Sequence, residues 1–212
     1  PEEREILDLL WYPTGGGKTE AYLGLIAFSA FHRRLQNDEH GEATVAIMRY
    51  TLRLLTMQQG ERATRLILAM NRVRNRNPIP LEGVPFSIGM WIGNKTSPGT
   101  VQNARKTLQM KFNGKSTGGR AEPMQLAACP WCGSPYETEN DSCYNLERAD
   151  QGRAYAILCP SPGCDYHDVP LPYSCIDEEL YRHPPTLLIS TVDKFARMAS
   201  RPDAGVFLGQ ST

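Results

Sequence analysis

Pro13-Thr14-Gly15-Gly16-Gly17-Lys18-Thr19 follows an apolar run that ends at Trp11-Tyr12, and it leads into a helical pattern from Thr19 onward. A strand feeding a glycine turn that opens a helix is the arrangement that cradles phosphate. Glycines at 15, 16 and 17 let the backbone adopt positive φ and bring its N–H groups close to anionic oxygens. The new helix adds the positive end of its dipole. In that reading Lys18 reaches the β- and γ-phosphates of ATP and the Thr19 hydroxyl holds Mg²⁺. The plainer alternative is a Gly-rich turn before a helix. The general pattern G-x-x-x-x-G-K-S/T wants Gly at position 12, where this chain has Tyr12.

A second group of reactive side chains lies far along the chain. All six cysteines fall between Cys129 and Cys175. Cys129-Pro130-Trp131-Cys132-Gly133 has the knuckle spacing of a structural zinc site, in which two thiolates three residues apart face one ion and the following Gly relieves the turn. Cys159 and Cys164 supply the second pair, so the expected Zn²⁺ ligands are Cys129, Cys132, Cys159 and Cys164. Such an ion supplies folding energy that a polar insert of roughly 50 residues cannot obtain from its own core. Cys143 and Cys175 are spare thiols, and His167 reads as a surface histidine rather than a substitute ligand. A disulfide framework and a redox C-x-x-C are the competing readings. The first is disfavoured in the reduced interior expected of a nucleotide-binding protein, and the second lacks a following helix.

The elements that must position these residues are legible from periodicity. Ile6 to Tyr12 reads as a strand, Lys18 to Leu35 as a helix, Thr44 to Met48 as a buried strand and Leu52 to Val73 as a long helix. Val84 to Ile92 is a third strand, and Ser97-Pro98 is the cap and first position of a short helix through about Met110. Residues 113–120 read as a flexible Gly-rich linker. Thr186 to Ser190 is a fourth strand, with a helix from Val192 to Ala199. Alternation of this kind predicts an α/β fold with a parallel sheet covered by helices. The expected organisation is a P-loop NTPase domain over 1–120, a zinc-ribbon insert over 121–183 and a return to the first domain over 184–212.

Charge is unevenly spread across a chain whose formal net charge is zero. From Arg49 to Arg76 there are seven Arg and one acid, Glu61. From Cys129 to His183 ten acids face three Arg. A basic region therefore invites nucleic acid through salt-dependent phosphate contacts, with contact expected of Arg53 and a solvated helix face the expected reading of the later Arg residues, Arg62 to Arg76. The acidic insert is a poor nonspecific clamp for nucleic acid and a reasonable protein-docking surface. No apolar run reaches 18 residues, and the acidic opening Pro1-Glu2-Glu3-Arg4-Glu5 is unlike a signal peptide, so a cytoplasmic protein with no membrane partner is expected. A start without Met suggests a fragment.

The order of the remaining signals supports a sharper reading. Thr51-Leu52-Arg53-Leu54-Leu55-Thr56-Met57-Gln58 resembles the P-T-R-x-L-x-x-Q element of superfamily 2 helicases, with Thr51 in place of Pro. Ser190-Thr191-Val192-Asp193-Lys194 resembles their T-P-x-R element, with Lys194 in place of Arg. Pro13 to Glu20 is similar to the same superfamily's form of the phosphate loop. Residues 11–24, 49–59, the Cys-rich insert and 188–197 resemble more narrowly the helicases of the DISARM bacterial anti-phage system, across roughly residues 5 to 205.

The resemblance implies a RecA-like motor lobe in an ATP-dependent helicase or translocase of phage defence. Nucleotide would be held by Pro13, Thr14, Gly15, Gly16, Gly17, Lys18, Thr19 and Glu20. Nucleic acid, DNA more than RNA, would be contacted by Thr51, Arg53, Thr191 and Lys194, since loops at the carboxyl ends of parallel strands share one rim. Other defence-system proteins would dock on the acidic insert. The Asp-Glu box of the superfamily is not found: Asp177-Glu178-Glu179 precedes the fourth strand rather than following it. These residues are expected to bind nucleotide weakly and not to turn it over by themselves. A P-loop ATPase that is not a helicase, and a non-catalytic zinc-ribbon docking module, are the alternatives.

Overall fold

The computed structural model describes residues 17–36, 42–51, 53–76, 83–149 and 152–209, with the side chains of 53–56 outside that description. The expected strand from Ile6 to Tyr12 and the turn at 37–41 lie outside the described residues. Helix α1 runs Lys18–Leu35, strand β1 Ala46–Tyr50, helix α2 Arg53–Arg76, strand β2 Ile88–Trp91 and helix α3 Val101–Phe112. Short strands β3 (Tyr144–Asn145), β4 (Ala156–Ile157) and β5 (Tyr173–Ser174) follow. Helix α4 (Asp177–Arg182), strand β6 (Leu187–Thr191), helix α5 (Val192–Ala196) and two 3₁₀ segments, Met198–Ser200 and Pro202–Leu208, complete the described chain.

Four of the strands form one parallel sheet in the order β1-β6-β2-β5. Ala46 to Tyr50 pair with Leu187 to Thr191, and Ile88 to Trp91 pair with Leu187 to Ser190 on the other side of β6. Alternation along the strands sends Ile88, Met90, Leu187 and Ile189 to a core shared with Ile26, Ala30, Ala63 and Ile67 of α1 and α2. Trp91 and Leu188 point to the opposite face, against Leu180, Ala204 and Phe207. Gly89 lies on that second face, where a Cβ would meet Leu180 Cδ2 at 2.5 Å and Pro185 Cγ at 2.7 Å, so only hydrogen fits beneath α4. Asn71 of α2 pins the entry to β2, donating to the Phe86 carbonyl at 2.8 Å and accepting from its N–H at 2.9 Å.

The structure departs from the sequence reading at several elements. Helix α3 begins at Val101, not at Pro98. Thr100 is in extended conformation and its side chain accepts from Asn103 N, while Ser97 turns inward and donates to the Cys175 carbonyl. Strand β5 and helix α4 lie inside the range expected for the insert. Pairing of Ile88 and Gly89 with Tyr173 and Ser174 returns the chain to the main sheet before position 184. Two β-strand residues are too short a run for periodicity to reveal. The helix expected from Val192 to Ala199 ends at Ala196, giving way to the 3₁₀ turn at Met198.

The cysteine-rich segment also has more of a core than its polarity suggests. Tyr136, Tyr144 and Tyr155 pack edge to face, with centroids 5.8 and 5.3 Å apart along the series. The Tyr144 hydroxyl donates to the Leu126 carbonyl and accepts from its N–H, and Tyr155 donates to the Pro123 carbonyl at 2.7 Å. These rings are continuous with the main core rather than separate from it.

Candidate metal centre and the carboxyl rim of the sheet

Each cysteine knuckle is closed by its own backbone. Gly133 adopts φ 80° immediately after Cys132, a conformation that suits glycine, and its N–H donates to the Cys129 carbonyl at 2.9 Å. Cys129 N donates to Ser134 O at 2.8 Å. In the second knuckle Cys164 N donates to Ser161 O at 3.0 Å and Cys159 N to Tyr166 O at 2.9 Å. The four Sγ atoms of Cys129, Cys132, Cys159 and Cys164 lie within 4.8 Å of one another. The pairs Cys132–Cys159 and Cys129–Cys164 are 3.4 and 3.9 Å apart, bracketing the ~3.8 Å edge of a tetrahedron built on Zn–S bonds of about 2.3 Å. No disulfide joins them. These four cysteines can hold a metal ion such as zinc.

The thiols are not alike. The Ser134 hydroxyl, 3.2 Å from Cys132 Sγ, draws the exposed Cys132 thiol down to about 6. Burial pushes Cys159 and Cys164 up. A divalent cation at the centre would override that burial at Cys159 and Cys164, because a coordinated thiol is deprotonated outright. Tyr136 supplies an independent sign of fit. Its hydroxyl is buried with no hydrogen-bond partner among the described residues, and it lies near Cys129, whose thiolate in a metal-loaded site would be an acceptor for it. Cys143 and Cys175 are buried outside the cluster, and burial lifts the Cys175 thiol to about 11. His167 is also outside it, with Nδ1 2.9 Å from the Cys159 carbonyl oxygen.

The arginines of α2 hold the two cysteine knuckles against that helix. Arg65 Nε donates to the Pro130 carbonyl of the first knuckle at 2.9 Å, and Arg72 pairs with Asp165 of the second while lying 5.5 Å from the Trp131 ring centroid. Trp131 Nε1 donates to the same Asp165 carboxylate at 3.1 Å, and Tyr166 donates to the Leu68 carbonyl at 2.7 Å. Arg62 pairs with Glu20 of α1, and Arg74 donates to the Gly83 carbonyl. Arg62, Arg65, Arg72 and Arg74 are therefore occupied within the fold rather than left as a bare solvated face. Their function as intramolecular glue has no sequence signal, because the partners are main-chain carbonyls and an acid about 100 positions away.

Among the phosphate-loop residues, Pro13, Thr14, Gly15 and Gly16 lie outside the described residues. Gly17 does not: it is left-handed at φ 72°, ψ 16° and opens α1 without a side-chain cap. Lys18 and Thr19 are half-buried in the first turn, and Glu20 is exposed and paired with Arg62.

At the carboxyl rim, Thr51 is exposed just past β1, and Thr191 ends β6 opposite Tyr50. Arg53 opens α2, with its side chain outside the described residues. Lys194 departs from the rim expectation. It is buried, pairs with Asp177, donates to Asn94 Oδ1 at 2.6 Å and lies 5.6 Å from the Trp91 ring centroid. As placed, it offers no cation to an external phosphate. It ties together the segments that follow β2, β5 and β6. Burial pushes the Asp177 carboxyl above its ordinary value against the pull of Lys194. The neighbouring acids are also used: Glu178 accepts from Val101 N at the start of α3, and Glu179 accepts from Ala154 N and Ser174 Oγ.

No family model matches the chain. It is similar to DISARM protein DrmA of Bacillus paralicheniformis, at 35% identity over 204 residues, which is 93% of this chain. The chain spans 18% of the length of that relative. Among the described residues, no helix is long and apolar enough to cross a membrane.

Proposed function

We propose that these residues form part of a RecA-like motor lobe in an ATP-dependent nucleic-acid helicase or translocase, acting in bacterial phage defence and on DNA in preference to RNA. The observation that carries the reading is the left-handed Gly17 delivering Lys18 and Thr19 into the first turn of an 18-residue helix. It is supported by a parallel sheet whose carboxyl ends bring Thr51 and Thr191 to one rim, and by the similarity to DrmA. In this reading Lys18 binds the β- and γ-phosphates, and Thr19 orients Mg²⁺. Thr51, Arg53 and Thr191 contact the nucleic-acid backbone. Zn²⁺ in the four-cysteine centre fixes the insert against α2, and Lys194 acts as an internal brace for the rim. The exposed acids Glu137, Glu139 and Asp141 of the insert suit a basic protein partner, which keeps a docking role beside the motor role.

Titration of a fluorescent ATP analogue with Mg²⁺ tests the nucleotide assignment. Charge-assisted hydrogen bonds contribute about 1.5–3 kcal/mol, so Lys18→Ala is expected to weaken binding roughly ten- to a hundredfold. Equal affinity for wild type and variant would remove the phosphate-loop assignment.

A further inference from the structure

Arg49 is a rim cation that the fold, among the described residues, leaves outward. It is exposed, and its guanidinium carbon stands 4.6 Å from the centroid of the Phe195 ring. Arg62, Arg65, Arg72 and Arg74 all bond to carboxylates or main-chain carbonyls; Arg49, among the described residues, takes no carboxylate partner. Arg49 stands two residues before Thr51, and Phe195 four residues after Thr191, so the pair bridges the ends of β1 and β6. Stacking on an aromatic face fixes the plane of a guanidinium and leaves its N–H edge free, the geometry suited to bidentate capture of a phosphate. Phe195 also lines a cavity of about 510 Å³ with Ala196, Met198 and Leu208, which leaves open space beside the ring.

We infer that Arg49, held by Phe195, is a backbone-phosphate contact for single-stranded nucleic acid crossing the rim beside Thr51 and Thr191. The assignment rests on the nucleic-acid reading proposed above and adds a contact that lies outside both motif-like elements. One phosphate contact to a single strand adds about 0.7 to the slope of log affinity against log salt. The contact reads no base, so its loss acts on all sequences alike.

The test measures binding of a fluorescent oligothymidylate and a mixed-sequence strand by the purified protein across a salt series. Arg49→Ala is expected to weaken both strands about tenfold or more and to lower the salt slope by about 0.7. Arg49→Lys is expected to keep the slope but lose part of the affinity, since the charge stays and the stacked fork does not. Phe195→Leu is expected to weaken binding in wild type and to add nothing in the Arg49→Ala background, because it acts through Arg49. Thermal melting checks that the variants fold. If Arg53→Ala weakens binding while Arg49→Ala leaves affinity and slope unchanged, the Arg49 contact is wrong and the nucleic-acid reading stands. If the wild-type protein binds neither strand, that reading falls and the Arg49 assignment falls with it.

Discussion

Cys129→Ser is expected to lose its bound metal and much of the order of residues 123–176, while Cys143→Ser keeps the metal. Four thiolates around one ion form a closed structural site, and metal binding of this kind supplies apparent free energies of about 10–16 kcal/mol at neutral pH in small zinc domains. The effect should not stop at the insert. Arg65, Arg72 and the Leu68 carbonyl of α2 are bonded to the two knuckles, so unfolding the centre removes partners from the middle of that helix. Metal analysis after gel filtration gives the stoichiometry, and hydrogen exchange in peptides spanning 63–74 shows whether α2 loosens with it. Full metal content in Cys129→Ser, or equal loss in Cys143→Ser, would show that the ligand set is wrong.

Lys194→Ala is expected to be among the most destabilising single substitutions in the chain. The ion pair it makes with Asp177 is nearly inaccessible, with side-chain exposures of 7% and 5%. Removing one partner of such a pair leaves an uncompensated buried charge and costs about 3–5 kcal/mol. At about 2–4 °C per kcal/mol for a domain of this size, that is a melting-temperature loss of about 6–20 °C. The deficit should depend on pH with a definite sign. Burial already raises the Asp177 carboxyl, and Lys194 opposes the rise. Without Lys194 the folded-state value climbs further above the unfolded one, so the folded state binds the proton more tightly and the variant regains stability as pH falls below neutrality. Melting curves of wild type and variant at pH 7 and pH 5 check this. A deficit of the same size at both, or none at either, would mean that the pair does not brace the rim.

These two residues show what the sequence could and could not reveal. The clustering of the four cysteines was legible because the spacing that a tetrahedral metal site demands is local: two close pairs with a glycine after one of them. Helix α1 was legible to the residue because its apolar positions recur with helical period and Gly17 marks its start. Lys194 was legible as a rim residue but not as a buried one. Its partners Asp177 and Asn94 stand 17 and 100 positions away, and nothing local distinguishes a lysine facing phosphate from one facing a carboxylate. Asp177-Glu178-Glu179 stood out as an acidic run without a role. Only the folded chain shows one acid bracing Lys194, one capping α3 and one holding Ala154 and Ser174. Strand β5 escaped for a different reason: two residues cannot display a period, and its place at the sheet edge is fixed by pairing with Ile88 and Gly89.

Coupling between nucleotide and nucleic acid is what separates a motor from a plain nucleotide-binding domain, so stimulated ATP hydrolysis by the protein at its full length is the most direct measurement. Rates are compared with and without single-stranded DNA for wild type, Lys18→Ala and Arg53→Ala. The motor reading predicts hydrolysis stimulated by DNA in wild type, no hydrolysis in Lys18→Ala because phosphoryl transfer depends on that lysine and its metal, and in Arg53→Ala intact ATP binding with stimulation lost. Hydrolysis by wild type that is indifferent to DNA, or stimulation that survives in both variants, would contradict it.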